Sequence, residues 1–165
     1  MAQYWLDAMV FISPNQQGYY SFDLAPTFWQ LLEQKAKDGI LASTRKVCDE
    51  LTRRRDSLSV WVDARKSSSL FVDPDQQVQE AYKKVADYVV SNYKYHRAEE
   101  FLGGADPWLI AHAMIDKAKV VTHEMPNSLA AQEVKIPNVC KAFNVVPITL
   151  FEMFRELNIV LEFRG

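Results

Sequence analysis

Cysteine is scarce: the 165 residues hold two, Cys48 and Cys140. That number supports neither a disulfide scaffold nor a thiolate zinc site. With no secretory apolar segment at the N-terminus, the thiols point to a reducing, cytoplasmic setting. No apolar run approaches the ~20 residues that a membrane span needs, so no membrane role is expected. Glycine is also sparse, at five residues. Neither a G-x-x-x-x-G-K-[ST] loop nor a Gly-rich dinucleotide fingerprint occurs, which excludes those two nucleotide-binding designs. The three histidines, His96, His112 and His123, stand alone, with no second histidine at ligand spacing. His123 alone is a candidate ligand or base, and His112 reads as a partly buried helix residue. The net charge of -2 excludes a broadly basic nucleic-acid binder. There is no internal repeat and no low-complexity stretch.

What is present is ordinary for a globular chain: 48% hydrophobic, 24% charged and 12% aromatic residues. The length suits a single domain over 1–165. Charge is uneven along it. Residues 43–69 carry seven bases (Arg45, Lys46, Arg53, Arg54, Arg55, Arg65, Lys66) against four acids, whereas residues 70–106 carry four bases against seven acids.

Hydrophobic patterning predicts short buried strands alternating with helices. Tyr4-Trp5-Leu6-Asp7 opens as a strand, and Ser13 to Gly18 reads as a polar loop. Pro26–Lys37 reads as a helix stopped at Gly39. Ile40-Leu41-Ala42 is a strand, after which Ser43 or Thr44 caps a helix running toward Arg65. Pro74 opens another helix, with Val78, Ala81, Tyr82, Val85, Tyr88 and Val89 at helical spacing. One turn follows at Ala98–Leu102, and a further helix runs from Asp106-Pro107 to Ala118. Val120–Thr122 and Val145–Ile148 are strands, separated by a loop over Glu124–Lys135 and a short helix from Pro137. A helix over Leu150–Leu157 and a last strand over Ile159–Phe163 close the chain. This alternation predicts an α/β fold with a mostly parallel sheet, so sites are sought at the C-terminal ends of strands.

Four acids fall at such places. Asp7 ends the first strand inside an apolar run, where an unpaired carboxylate is costly. Glu50 lies at the edge of the apolar stripe formed by Val47, Leu51, Leu58 and Trp61, about 60° from its centre at ~100° per residue. Asp49 faces the opposite way. An ion pair between Glu50 and Arg54, one turn on, is an equally good reading. Asp106, just before Pro107, reads first as a helix cap. Glu124 follows the Val120–Thr122 strand. Carboxylates gathered without thiols or paired histidines select hard cations such as Mg²⁺ or Mn²⁺, which suit phosphodiester hydrolysis.

The stretches Tyr4-Trp5-Leu6-Asp7-Ala8-Met9-Val10-Phe11-Ile12, Val47-Cys48-Asp49-Glu50-Leu51, Gly104-Ala105-Asp106-Pro107-Trp108-Leu109-Ile110-Ala111 and Val120-Val121-Thr122-His123-Glu124 follow one another in this order. With Lys135-Ile136-Pro137-Asn138-Val139-Cys140 they resemble the PIN-domain ribonucleases, the superfamily of the VapC toxins. The likeness is closest to a bacterial and archaeal PIN-like branch known mainly as domains of unknown function. It covers essentially the whole chain. It implies a Rossmann-like αβα sandwich in which Asp7, Glu50, Asp106 and Glu124 hold one or two Mg²⁺ or Mn²⁺ ions, with Thr122 supporting the site. It further implies an RNA substrate and a cognate antitoxin protein as partner; homo-oligomerisation is left open. One position departs from the pattern. Asn, Ser or Thr usually stands two residues after the first aspartate, and here that residue is Met9, which cannot make the corresponding hydrogen bond.

The leading expectation is therefore a metal-dependent endoribonuclease, the toxin of a toxin–antitoxin pair. The alternative, which Met9 favours, is a PIN-like module that binds RNA or protein with little or no turnover. A haloacid-dehalogenase-like phosphatase would need a second Asp at position 9, and a receiver domain would need a lysine near a late strand end that has no clear match. RNA affinity is expected from Arg45, Lys46, Arg53, Arg54 and Arg55, which flank the helix of Glu50. A solvated basic face, or a docking surface for an acidic antitoxin segment, reads equally well.

Overall fold

Among the described residues, five strands, each two to four residues long, form a sheet in which every pairing is parallel. The computed structural model describes residues 1–127 and 132–165. In chain order the elements are β1 (Tyr4–Leu6), α1 (Met9–Gln16), α2 (Pro26–Lys37), β2 (Leu41–Thr44), α3 (Arg45–Thr52), α4 (Ser57–Asp63) and β3 (Phe71–Val72). Then follow α5 (Gln76–Asn92), α6 (Tyr95–Leu102), α7 (Asp106–Asp116), β4 (Lys119–Val121), α8 (Ile136–Ala142), β5 (Pro147–Ile148) and α9 (Leu150–Glu156).

The spatial order is β3-β2-β1-β4-β5. The chain winds outward through β2 and β3, then crosses back to lay β4 on the other side of β1. The order therefore reverses between β1 and β4, and open parallel sheets place their sites at such a switch point.

Alternation along β1 sets the layers. Trp5 points to one face, where its indole stacks on His112 of α7 at 4.0 Å. Tyr4 points to the other, where its hydroxyl donates to Glu156 of α9 at 2.7 Å. Helix α7 lies directly on the sheet, with α5 packed along it. The opposite layer joins α2, α4 and α9 through the aromatic set Phe28, Trp29, Trp61 and Phe154. Leu6, Phe11, Phe28, Leu32, Val47, Leu109, Val121 and Leu150 are fully enclosed between these layers. The result is the expected three-layer αβα sandwich. By the same alternation Asp7, one residue beyond β1, points to the Trp5 side, toward α7.

Several local expectations need correction. Ser13 to Gln16 belong to a helix, not a loop: α1 starts at Met9 and tolerates Pro14 because Val10, Phe11 and Pro14 are buried. The helix after Thr44 does not continue toward Arg65. It stops at Thr52 and restarts at Ser57, where Asp56 and Ser59 form a reciprocal capping box. Thr44, not Ser43, is the cap of α3. The fully buried Ser43 donates its hydroxyl to the Leu6 carbonyl at 2.6 Å. Phe71–Val72 adds an edge strand that the apolar pattern is too short to reveal. Ile159–Phe163 forms no strand: Val160 and Phe163 are exposed, so the apolar side chains that would dock a strand on the core stay in solvent.

Candidate active site

The switch point is stitched at its C-terminal lip by two hydrogen bonds. The Asp7 amide donates to the Val121 carbonyl at 3.0 Å, and the Thr122 hydroxyl donates to Asp7 Oδ2 at 3.0 Å. Thr122 Oγ1 also accepts from the Glu124 amide at 3.1 Å. One threonine thus fixes the first acid and the backbone that carries the fourth. Asp7 is 3% exposed. Burial pushes its carboxyl well above the usual range, and the charge of Glu124 adds to the rise. The Thr122 hydroxyl and the amides of Ala8 and Met9 pull only part of the way back.

Asp106 is the first residue of α7, and the cap position is Ala105; the Asp106 side chain makes no cap hydrogen bond. The capping role expected for it is therefore absent. Asp106 is half-buried, and the protein crowds its carboxyl. Desolvation is the largest cause of a strong upward shift, followed by the charges of Asp7, Glu124 and Glu50; Lys135 opposes them.

Glu50 and Glu124 are each held by the backbone. Glu50 Oε1 accepts from the Ala105 amide at 2.9 Å, at the mouth of α7. Glu124 Oε2 accepts from the Ile136 amide at 2.8 Å, at the start of α8. Two helix N-termini, favourable places for negative charge, thus anchor two of the acids and leave each with a second oxygen. The Glu50–Arg54 ion pair does not form. Helix α3 ends before Arg54, and Arg54 pairs with Asp56 at 3.0 Å.

Glu50, Asp106 and Glu124 line one cavity of about 200 Å³ together with Arg97, Glu100, Gly104, Ala105 and Glu133. Glu124 also walls a larger, mostly apolar groove of about 750 Å³ between Thr122, Met125, Pro137, Val146 and Ile148. Met9 is 39% exposed, so position 9 serves Asp7 through its amide. The donor set is all oxygen, which fits a hard cation. Among the described residues, however, no three His, Cys, Asp or Glu side chains stand grouped closely enough to hold an ion as they are.

The histidines lie apart from this chemistry. His112 is buried deep against Trp5, and burial pushes its imidazole down to about 4. His123 is half buried and faces Phe151 at 6.3 Å. Of the basic residues, Arg45 pairs with Asp73 at 3.3 Å and Lys46 sits 5.2 Å over the Trp108 ring. Arg53 and Arg55 are exposed. None of Arg45, Lys46, Arg53, Arg54 and Arg55 lines the acidic cavity.

Hydrophobic patterning does not mark Arg97, Lys135 and Cys140 as site neighbours. Arg97 falls outside the single turn expected at Ala98–Leu102, whereas α6 starts at Tyr95. The usable signal is Phe101, four residues on, which is buried and sets the inner face of that helix. Cys140 sits under the acids: burial, with the charges of Glu124 and Asp106, pushes its thiol up to about 12, so it is an inert wall.

Comparison with known proteins bears on the fold and on the family. The solved complex of VapBC2 from Rickettsia felis bound to a DNA fragment from its promoter contains a chain of the same fold. The likeness has a TM-score of 0.54 at 15% identity and covers 90% of this chain and 98% of that one. The shared architecture is an αβα sandwich with a parallel central sheet. The family described as a domain of unknown function, DUF4411, matches residues 4–161, and the chain belongs to it. No curated protein matches the sequence.

Proposed function

We propose that this chain is a metal-dependent endoribonuclease that hydrolyses RNA phosphodiester bonds, acting in the cytoplasm as the toxin of a toxin–antitoxin pair. The observation that carries the reading is the placement of Asp7 and Asp106. Two carboxylates with no cation in ion-pair range among the described residues are desolvated, and Asp106 further feels Asp7, Glu50 and Glu124. That arrangement costs stability and is sensible when a cation belongs there.

Asp7, Glu50, Asp106 and Glu124 are the proposed ligands. Glu50 and Glu124 keep one oxygen on a backbone amide and offer the other. Because the four stand wider apart than ligand spacing, binding requires them to close by pivoting about those amides. A bound Mg²⁺ or Mn²⁺ would polarise the phosphate and supply an activated water. Thr122 keeps Asp7 aimed, and Cys140, Val134 and Ile136 keep bulk water from beneath the acids. The fold likeness to a chain of the VapBC2 complex supports a protein partner of antitoxin type.

The second reading, a PIN-like module that binds RNA or protein without turnover, is favoured by Met9 and by the open spacing of the acids. Incubating the purified chain with assorted RNAs, with Mn²⁺ and with chelator, separates the two. Mn²⁺-dependent fragments support the nuclease; binding without fragments supports the module.

A further inference from the structure

An all-acidic pocket repels its own substrate, because a phosphodiester is an anion. Among the described residues that line the cavity with Glu50, Asp106 and Glu124, one carries positive charge: Arg97 of α6. It does not neutralise those acids. Its one ion-pair neighbour is Glu100, 3.5 Å from Nη1 and mostly exposed, and it reaches none of Glu50, Asp106 and Glu124. Its Nε is buried and has no hydrogen-bond partner among the described residues. By contrast Arg45, Arg54 and Arg164 each direct Nε at a carboxylate. Lys135, which lies near Asp106 but does not line the cavity, is engaged by Glu133 at 3.1 Å. A buried guanidinium N–H without an acceptor is costly, and its fork matches two oxygens of one phosphate.

We propose that Arg97 is the phosphate-holding residue of this site, the exposed part of its guanidinium donating to the non-bridging oxygens of the scissile phosphodiester. The inference rests on the nuclease reading and adds to it the residue that overcomes the charge of the acids. Arg97 positions and neutralises the phosphate; it takes no proton and forms no bond to the substrate.

The test compares wild type with Arg97→Ala and Arg97→Lys. A labelled single-stranded RNA oligonucleotide is titrated by anisotropy over a salt series, Mn²⁺ affinity is measured by calorimetry, and melting is followed as a control. Arg97→Ala should weaken RNA binding by roughly tenfold and flatten the salt slope by about 0.7, the value for one phosphate neutralised on a single strand. Mn²⁺ affinity should hold or tighten, and Arg97→Lys should recover part of the binding. If wild type binds and cleaves RNA but Arg97→Ala binds with unchanged affinity and slope, the role of Arg97 is refuted and the nuclease reading stands. Joint loss of RNA binding, Mn²⁺ affinity and melting temperature makes Arg97 a brace and also refutes it. A wild type that neither binds nor cleaves RNA overturns the nuclease reading and this inference with it.

Discussion

The two ends of the sheet treat carboxylates in opposite ways. At the N-terminal end Asp116 accepts from the Ala2 amide and the Trp5 indole, both at 3.1 Å. Nearby, Glu156 accepts from the Tyr4 hydroxyl at 2.7 Å and the Lys119 ammonium at 2.6 Å. Each acid there meets donors and ties the first strand to a helix. At the C-terminal end Asp7, Glu50, Asp106 and Glu124 meet no cation in ion-pair range among the described residues, and the two Asp carboxyls are shifted upward. The first pair serves the fold. In the second set Asp7 and Asp106 oppose it, as expected of the cation site proposed above.

The largest expected effect breaks the second set. Asp106→Asn or Asp7→Asn should lower Mn²⁺-dependent RNA cleavage by about 100-fold or more, the scale of losing one charge-stabilising group. Melting of the metal-free variants should be unchanged or higher, because one of the mutually repelling charges is gone. Wild-type cleavage by both variants would make the acids structural. Asp116→Ala should do the reverse. Stranding the Ala2 amide and the Trp5 indole should cost about 1–3 kcal/mol, read as a lower midpoint in urea, with cleavage per folded molecule unchanged.

The pH dependence sharpens the comparison. A carboxyl whose folded pKa is raised stays protonated in the folded chain while the unfolded chain ionises. Its contribution is therefore full below about pH 4 and is lost as pH rises from there through the raised folded values. Metal-free stability should fall across that range, and Asp106→Asn should flatten the decline. Mn²⁺ should restore stability most at the alkaline end, where protons no longer compete; at 100-fold excess over Kd the gain is about 2.7 kcal/mol. Thermal melts at pH 5 and pH 8, with and without Mn²⁺, check this, and an equal Mn²⁺ effect at both would contradict it. The smallest effect concerns the outer basic face. Charge reversal at Arg53 and Arg55, which are exposed and outside the cavity, should weaken RNA binding modestly, with the salt slope reduced by about 0.7 for each phosphate no longer neutralised. An unchanged slope with loss of a protein partner would assign that face to the partner.

The sheet and most helices are legible in the sequence because their signals are local. Buried runs such as Tyr4–Leu6 and Val120–Val121 and the 3.6-residue stripe of α5 depend on few distant neighbours. The inward aim of Glu50 follows from its helical angle alone. What is not legible depends on tertiary context. Helix α1 holds a proline and a polar end because Phe11 and Pro14 reach the core. The break at Arg53–Asp56 is set by a capping box whose Ser59 is not part of any apolar pattern. The tail at Ile159–Phe163 has strand composition, but its Val160 and Phe163 stay exposed and dock on no core face. At the site, the strand-end and helix-edge positions of the four acids can be read along the chain. The Arg97 Nε, without a partner among the described residues, and the backbone amides that hold Glu50 and Glu124 cannot, since they arise where α3, α6, α7 and α8 meet.

Calorimetric titration of Mn²⁺ into the metal-free wild-type chain and into Asp106→Asn at neutral pH addresses the acids most directly. The expected result is saturable binding of one or two ions by wild type, with uptake coupled to proton release from the raised carboxyls, and binding weakened at least tenfold in the variant. Absence of saturable binding by wild type, or equal binding by both chains, would contradict the reading of this acidic switch point as a metal centre.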